Sequence, residues 1–366
     1  MGVEVTPRTT GETFPLYERF PQLTTRVPRI ALSTGASPVS PLANLSRDLR
    51  TDVWLKNDGL YGTMYGGNKT RKLEFVIADA MERHATTVVT TGGIGTNHGV
   101  ATALYCREAG IDTVLILTYE EPTSEARQNL LLMADSGAQI HYARAYLKAT
   151  IVAPYIIAHC WRRDRRFPYL LGPGASSPLA SLGYVNAAFE LAGQVKAGLI
   201  PEPGTIILPL GTGGTVAGLL VGLRLAGLDS KVLAVSITRA PTAWQMAVSR
   251  LARSTARLLA RTTGDRDLAR VRLDGLGVTR EWLGPGFGRA SEHGERARDR
   301  LADTEGLVLD PVYTAKAMAA LLDKADSSAL SGPVLFWHTH NAIVLSTPGT
   351  NAASRVPNSL RRVCGL

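Results

Sequence analysis

The chain has 366 residues, 45% of them hydrophobic and 19% charged, with a formal net charge of +9. This composition excludes a disordered polyelectrolyte and supplies enough apolar material for a large core, read as two domains of a globular protein. No apolar run reaches membrane-spanning length, so no membrane partner is expected.

The N-terminal Met1-Gly2-Val3-Glu4-Val5-Thr6-Pro7 has no basic region leading into an apolar one and so shows no secretory signal; its loose match to an N-myristoylation pattern is read as chance. Next comes Gly66-Gly67-Asn68-Lys69-Thr70-Arg71-Lys72-Leu73-Glu74. Two glycines and an asparagine place Lys69 at the start of an amphipathic helix, where a lysine serves as a phosphate clamp, as a covalent attachment point or as an ordinary solvated charge. Asn68 separates Gly67 from Lys69, which puts the stretch one residue out of register with a P-loop, so nucleotide hydrolysis is not expected. Leu73, Val76, Ile77, Ala80 and Met81 share one face of the helix that follows.

From here helical and strand patterns alternate. Thr87 to Thr91 reads as a buried strand running into Gly92-Gly93-Ile94-Gly95-Thr96-Asn97-His98, then a helix to Glu108. The backbone N–H groups and the helix start of that loop suit a carboxylate, with Thr96 and Asn97 adding side-chain hydrogen bonds; a plain strand-to-helix turn with Thr or Asn as cap is the alternative. A strand at Thr113 to Leu117, a helix near Glu125 to Ala134 and a strand at Gln139 to Tyr142 follow. The stretch from Gly172 to Pro178 reads as a link between two sheets. Beyond it lie strands at Thr205 to Leu210, Lys231 to Ile237 and Pro333 to Trp337. The alternation predicts an α/β protein with mostly parallel sheets covered by helices.

Two further strand ends carry polar residues. Gly211-Thr212-Gly213-Gly214-Thr215 lets backbone amides approach one phosphate at a helix start. It is not a dinucleotide fingerprint, because Val216 stands where a third glycine is needed, which weighs against a nicotinamide dehydrogenase. In Trp337-His338-Thr339-His340-Asn341 the histidines are two apart and would face the same way on an extended chain, but no third ligand accompanies them and no metal is expected. The arginine-rich stretch from Arg250 to Arg272 reads as an amphipathic surface helix; without interleaved aromatics it gives no reason to expect nucleic acid. Cys106, Cys160 and Cys364 are widely spaced and odd in number, which fits a reducing cytoplasm. A lysine, a one-phosphate cradle, a carboxylate loop and a strand-end hydroxyl together suggest one ligand, pyridoxal 5'-phosphate carrying an amino acid.

In these same motifs, joined by Asp310-Pro311-Val312-Tyr313-Thr314 and Lys316-Ala317-Met318, the chain resembles the D-cysteine desulfhydrase and 1-aminocyclopropane-1-carboxylate deaminase family of fold-type-II pyridoxal-phosphate enzymes. The resemblance implies two open parallel-sheet domains with the cofactor between them: residues 1–71 with 176–366 as the larger, cofactor-binding one, and 72–175 as the smaller, bearing the substrate loop. It implies a Schiff base on Lys69, phosphate held by Gly211, Thr212, Gly213, Gly214 and Thr215, Asn97 on the cofactor's ring hydroxyl, and Thr339 near the pyridine nitrogen. Thr96, with Asn97 and His98, would meet the substrate carboxylate, and Tyr313 would lie by the substrate as a possible acid or base. Phe287 and His340 would line the substrate pocket. A homodimer is the family expectation.

Four departures bear on the reaction. Thr96 stands where serine is usual, Phe287 where tyrosine is usual, and His340-Asn341 where two glycines are usual. Thr314 stands where the cyclopropane-opening branch has a glutamate. The implied activity is a lyase that eliminates a Cβ substituent from a small amino acid to give a keto acid and ammonia, as from D-cysteine. β-Replacement, racemisation, cyclopropane deamination, another specialised step on the same cofactor, or cofactor binding without turnover are the alternatives.

Overall fold

A computed structural model describes residues 14–238, 241–327 and 329–366; the N-terminal pattern at residues 1–7 lies outside them. Ten strands form two sheets. In chain order they are β1 (Val39–Pro41), β2 (Val53–Asn57), β3 (Thr87–Gly93), β4 (Asp112–Thr118), β5 (Gln139–Arg144), β6 (Tyr169–Leu171), β7 (Thr205–Leu210), β8 (Lys231–Ser236), β9 (Leu276–Thr279) and β10 (Val334–His338). The larger sheet has the order β1-β2-β10-β7-β8-β9 and the smaller β5-β4-β3-β6. All pairings are parallel except β1 with β2 at one edge.

Period-2 side-chain alternation explains why the central strands read as unbroken apolar runs. In β7, Ile206, Leu208 and Leu210 join the core on one face while Ile207 joins the core on the other. In β10, Leu335 and Trp337 go one way and Val334 and Phe336 the other. In β4, Leu115 and Leu117 oppose Val114 and Ile116 in the same manner. The β6-to-helix link crosses from the small sheet to the helix Pro178–Lys196, which packs on the large one.

The helix Asn68–Glu82 sits between the two halves. Leu73, Val76, Ile77 and Ala80 enter the small-sheet core, while Phe75 enters the large-sheet core. The expected helical face is thus present, with Met81 at its edge. On the two-part division proposed from the sequence, the chain's end crosses over: Val356, Leu360 and Cys364 pack into the small-sheet core. The helix expected over the Arg250 region spans Pro241–Thr263, burying Val248, Ala252, Ala256 and Leu259. It stops short of Arg272 because Gly264 turns the backbone to φ +85° and a 3₁₀ turn at Arg266–Arg270 follows.

One buried ionic cluster ties these elements together. The Arg71 guanidinium donates to Asp58 at 2.8 Å and to Glu190 at 2.9 Å, and Lys56 donates to Glu190 at 2.6 Å. Tyr184 and Trp337 donate to the other Asp58 oxygen at 2.5 and 2.7 Å. Burial alone would push the Asp58 and Glu190 carboxyls up, but the Arg71 charge holds both below their ordinary values. Arg71→Leu leaves two carboxylates with only Lys56 to offset them. The expected loss is about 3–5 kcal/mol of unfolding free energy, measured by urea denaturation; a loss under about 1 kcal/mol would contradict a structural role for the cluster.

Candidate active site

Three loops at the carboxyl ends of β3, β7 and β10, together with the start of the helix Asn68–Glu82, enclose a cavity of about 310 Å³. Ligands collect at this edge of open parallel sheets because strand ends and helix starts present unpaired backbone donors there. Lys69, Thr96, Asn97, His98, Gly211, Thr212, Gly213, Thr215, Phe287, Tyr313, Thr339 and His340 line the cavity, whereas Gly214, expected with them, lies behind its neighbours and does not.

The approach to Lys69 is set by close backbone contacts. A Cβ on Gly66 would lie 1.7 Å from the Gly59 carbonyl oxygen, and Gly67 has φ +91°, so neither position accepts a side chain without strain. The Gly66 N–H donates to Asn341 at 2.6 Å, the Gly67 N–H to the Asp58 carbonyl at 2.6 Å, and the Asn68 N–H to the Thr339 carbonyl at 3.0 Å. Lys69 is the second residue of its helix, and Nζ donates to Asn68 Oδ1 at 2.8 Å. Burial lowers its amine to about 8, opposed by the Asp310 charge. An enclosed amine with a lowered value gives up its proton more readily than a solvated lysine and so is the better nucleophile.

The cradle after β7 starts the helix Gly214–Leu225, with Gly213 in the left-handed region at φ +90°. A Cβ on Gly214 would lie 2.8 Å from Ser176 Oγ and 3.1 Å from Lys72 Nζ. Asn68 Nδ2 donates to Thr215 Oγ1 at 3.1 Å, joining the cradle to the lysine loop. Lys72, one turn after Lys69, is buried and donates to the Gly174 carbonyl at 3.1 Å. Burial and then the Lys69 charge depress its amine well below the usual lysine range. A helix start, two threonine hydroxyls and a buried lysine form a donor set suited to one phosphate, and there is no space for a side chain in its place. The residues fit a singly phosphorylated aldehyde cofactor. Lys72 stands within the quoted helix motif, but only its placement against the cradle shows the contact.

Across the cavity, Thr96 caps the helix Asn97–Glu108, accepting from the Gly99 N–H at 3.3 Å. Asn97 Oδ1 accepts from Tyr65 at 3.0 Å and from Asn129 at 2.9 Å, which turns its amide nitrogen toward His340 Nδ1 at 3.5 Å. That orientation presents a hydrogen-bond donor to the cavity. His98 is less available. Its ring nitrogens sit 3.0 Å from Thr90 Oγ1 and 3.4 Å from Thr102 Oγ1, and burial, followed by the Lys69 and Lys72 charges, lowers it to about 3.

Burial keeps the Tyr313 hydroxyl far above its ordinary value, with Glu120 and Asp310 adding to the effect, so it stays protonated. Phe287 meets the Tyr313 ring edge-on at 6.5 Å. Thr314 turns away from the cavity: its hydroxyl donates to the Asp310 carboxylate. Asp310 also accepts from the Tyr313 and Thr314 N–H groups at 2.7 and 2.9 Å. Burial would raise this carboxyl, but the His340 charge and those hydrogen bonds hold it below its ordinary value.

The expectation that His338 and His340 share one face does not hold, because β10 ends at His338. His338 bonds Asn57 at 3.0 Å inside the fold, while His340 enters the cavity between Asp310 at 3.8 Å and Glu125 at 3.7 Å. Among the described residues, no group of three or more His, Cys, Asp or Glu is placed to hold a metal. Asn341 lines the cavity too, with its side-chain oxygen accepting from the Gly66 N–H at 2.6 Å and the Ile343 N–H at 3.1 Å. The sequence reading missed Asp310 as an acid at the site, Asn129, Ser176, and the two cavity carboxylates Glu120 and Glu125.

Comparison with known proteins agrees with this geometry. A model of the family described as pyridoxal-phosphate dependent enzyme matches residues 30–340. A protein named D-cysteine desulfhydrase from Salmonella schwarzengrund is 34% identical over 330 residues, covering 88% of this chain and 96% of that one. A putative 1-aminocyclopropane-1-carboxylate deaminase from Pyrococcus horikoshii is 31% identical over 319 residues, covering 87% and 93%. Among solved structures, an ACC deaminase homologue superposes with a TM-score of 0.77 at 29% identity, over 92% of this chain and 99% of that one. A serine racemase from Dictyostelium discoideum shares the fold, with a TM-score of 0.60 at 16% identity over 90% and 98%. The chain belongs to the pyridoxal-phosphate dependent enzyme family, and pyridoxal phosphate is its cofactor.

The lowered Lys69 amine predicts how the cofactor-free protein takes up pyridoxal phosphate. The amine is protonated and unreactive below its value and free above it. The rate at which the visible band appears should therefore rise with pH around a midpoint of about 8. A midpoint at an ordinary lysine value would contradict the buried setting of Lys69.

Proposed function

We propose that the protein is a lyase that removes the substituent from Cβ of a small amino acid and releases a keto acid and ammonia. The observation that carries this reading is one cavity holding a buried lysine of lowered value, a one-phosphate cradle and an amide-rich loop. Pyridoxal phosphate, when bound, supplies the electron sink for the pair left at Cα. Lys69 would hold the cofactor, and its Nζ, with a value of about 8, would take and return the Cα proton near neutral pH. Tyr313, kept protonated by burial, would serve as a donor rather than a base. Asn97 would direct its amide N–H at the cofactor ring, and Thr96 with its loop would orient the substrate carboxylate. Gly211 to Thr215, with Lys72, would anchor the phosphate.

The relative named D-cysteine desulfhydrase makes a sulfur leaving group the first case to test. Opening of a cyclopropane ring is disfavoured: Thr314 brings no carboxylate and turns toward Asp310, and Phe287 brings no hydroxyl. A homodimer is supported by the helix Tyr146–Asp164, where Leu147, Ile151 and Tyr155, spaced by four residues, are each more than half exposed. The three cysteines are buried and unpaired, which supports a reducing, cytoplasmic setting. Among the described residues no helix is long and apolar enough to cross a membrane.

The test is a screen of the holoenzyme against D- and L-amino acids, with spectral change reporting binding and released keto acid or sulfide reporting elimination. Lys69→Ala should lose the lysine-bound visible band and all turnover; retained turnover would sink the assignment. For the assembly, Ile151→Asp with Tyr155→Asp should convert a dimer to a monomer by light scattering, and an unchanged mass would rule this face out.

A further inference from the structure

A chain of contacts fixes the amide of Asn97 and, through it, the proton on His340. The Gly95 carbonyl can only accept, so the side-chain nitrogen of Asn129, 2.9 Å away, donates to it. The same Asn129 nitrogen lies 2.9 Å from one side-chain atom of Asn97, which the Tyr65 hydroxyl also reaches at 3.0 Å. That atom is therefore the amide oxygen, and the Asn97 nitrogen is the one that faces His340 Nδ1 at 3.5 Å. An amide nitrogen only donates, so Nδ1 accepts and the neutral ring carries its proton on Nε2. Nε2 is 3.7 Å from Glu125 Oε1, a carboxylate that suits a ring N–H on that side.

The ring is presented from a fixed backbone. A Cβ on Gly59 would lie 2.6 Å from the His340 carbonyl oxygen, and one on Gly67 would lie 3.2 Å from the His340 carbonyl carbon. The residues on either side are tied down as well, Thr339 by the Asn68 N–H and Asn341 by the Gly66 N–H. The titratable groups facing the ring are Glu125 on the helix Ser124–Asp135, Asp310 before the helix Thr314–Asp326, and His338, which burial lowers to about 4. Asp310 Oδ2 lies 3.8 Å from Nδ1, the same atom that faces Asn97. One ring nitrogen thus stands between an amide donor and a carboxylate. Without a proton it can hold only the amide. With one it repels the amide N–H and turns to the carboxylate.

We propose that His340 is a positioning residue for Asn97: neutral, it holds one amide hydrogen so that the other is aimed at the cofactor's ring hydroxyl, and protonated, it releases the amide and pairs with Asp310. This rests on the place given to Asn97 in the lyase reading above. With His340 released, the amide is restrained only from its oxygen side, by Tyr65 and Asn129. Hydrogen bonds to the cofactor ring tune its electronics, so the visible band reports the change.

The experiment compares the visible band and the cofactor affinity of the unaltered holoenzyme, His340→Asn, His340→Gly and Asn97→Ala from about pH 5 to 8, where histidine side chains ordinarily change charge. Asparagine at this position offers an acceptor oxygen near the place of Nδ1 and takes up no proton. At the alkaline end the unaltered protein and His340→Asn should share one band position. His340→Gly should be displaced toward Asn97→Ala and should hold the cofactor about two- to tenfold less tightly. At the acid end, beyond any change that all four proteins share, the unaltered protein should move toward His340→Gly while His340→Asn stays. His340→Asn and His340→Gly behaving alike, or a pH response that persists in His340→Asn, overturns the inference and leaves the lyase reading standing. A band unmoved in Asn97→Ala overturns the placement of Asn97 and the inference with it. Absence of any visible band in the unaltered protein overturns the lyase reading as well.

Discussion

The site depends on burying Arg71. Its side chain is inaccessible to solvent, and it stands two residues after Lys69 on the same helix. Placing a guanidinium there is tolerable only because Asp58 and Glu190 meet it from the 3₁₀ turn Asp58–Leu60 after β2 and from the helix Pro178–Lys196. Trp337 and Tyr184 then saturate Asp58, and Lys56 saturates Glu190. The geometry of the pairs therefore fixes four elements to the first turns of the lysine helix. The Asp58 backbone continues the same chain of contacts by accepting the Gly67 N–H, two residues before Lys69. A cluster of this sort is a poor source of net stability but a strict selector of one arrangement, since any shift leaves a charge unpaired in a dry interior.

The same helix sets the polarity of the cavity. Lys69 and Lys72, one turn apart, are both buried, and their partners differ. Lys69 has Asp310 nearby, whereas Lys72 faces the cradle and has only the Gly174 carbonyl. A phosphate would supply the charge that Lys72 lacks, so the cradle is completed by its ligand. The carboxylates Glu120, Glu125 and Asp310 line the same cavity, the last two beside His340.

Much of this was legible in the sequence wherever a local pattern decided the structure. β7 reads as Thr205 to Leu210 because a strand buried on both faces has no polar positions to break the run. The two glycine loops and Lys69 were legible as helix starts because helix starts next to strand ends have few chemical solutions. The helix Tyr146–Asp164 went unseen: its apolar residues point outward as well as inward, and Pro154 interrupts it. Glu120 and Glu125 could not be read at all. Neither belongs to a motif, and only the return of the loop after β4 over the cavity gives them a role. The crossing of the C-terminal helix to the small-sheet core is likewise a tertiary fact, since Val356, Leu360 and Cys364 carry no local sign of which core they join.

The altered residues around the lysine divide by what they touch. Asn341 replaces a glycine yet costs the cavity little, because its side chain bonds the backbone of Gly66 and Ile343 and so stiffens the turn before Lys69. Thr314 is absorbed in the same way by Asp310, at the start of the helix Thr314–Asp326. His340 and Phe287 remain to act on a ligand. Phe287 presents an apolar edge to Tyr313, removing a hydrogen bond from one wall. His340 adds a titratable ring between carboxylates of two different loops on the other. Phe287 is thus an apolar contributor to the lining and His340 one that sits among carboxylates. Both belong to the lining of one cavity of about 310 Å³, so a ligand that fills it would meet the two together, and exchanging either alone would leave the other's constraint in place.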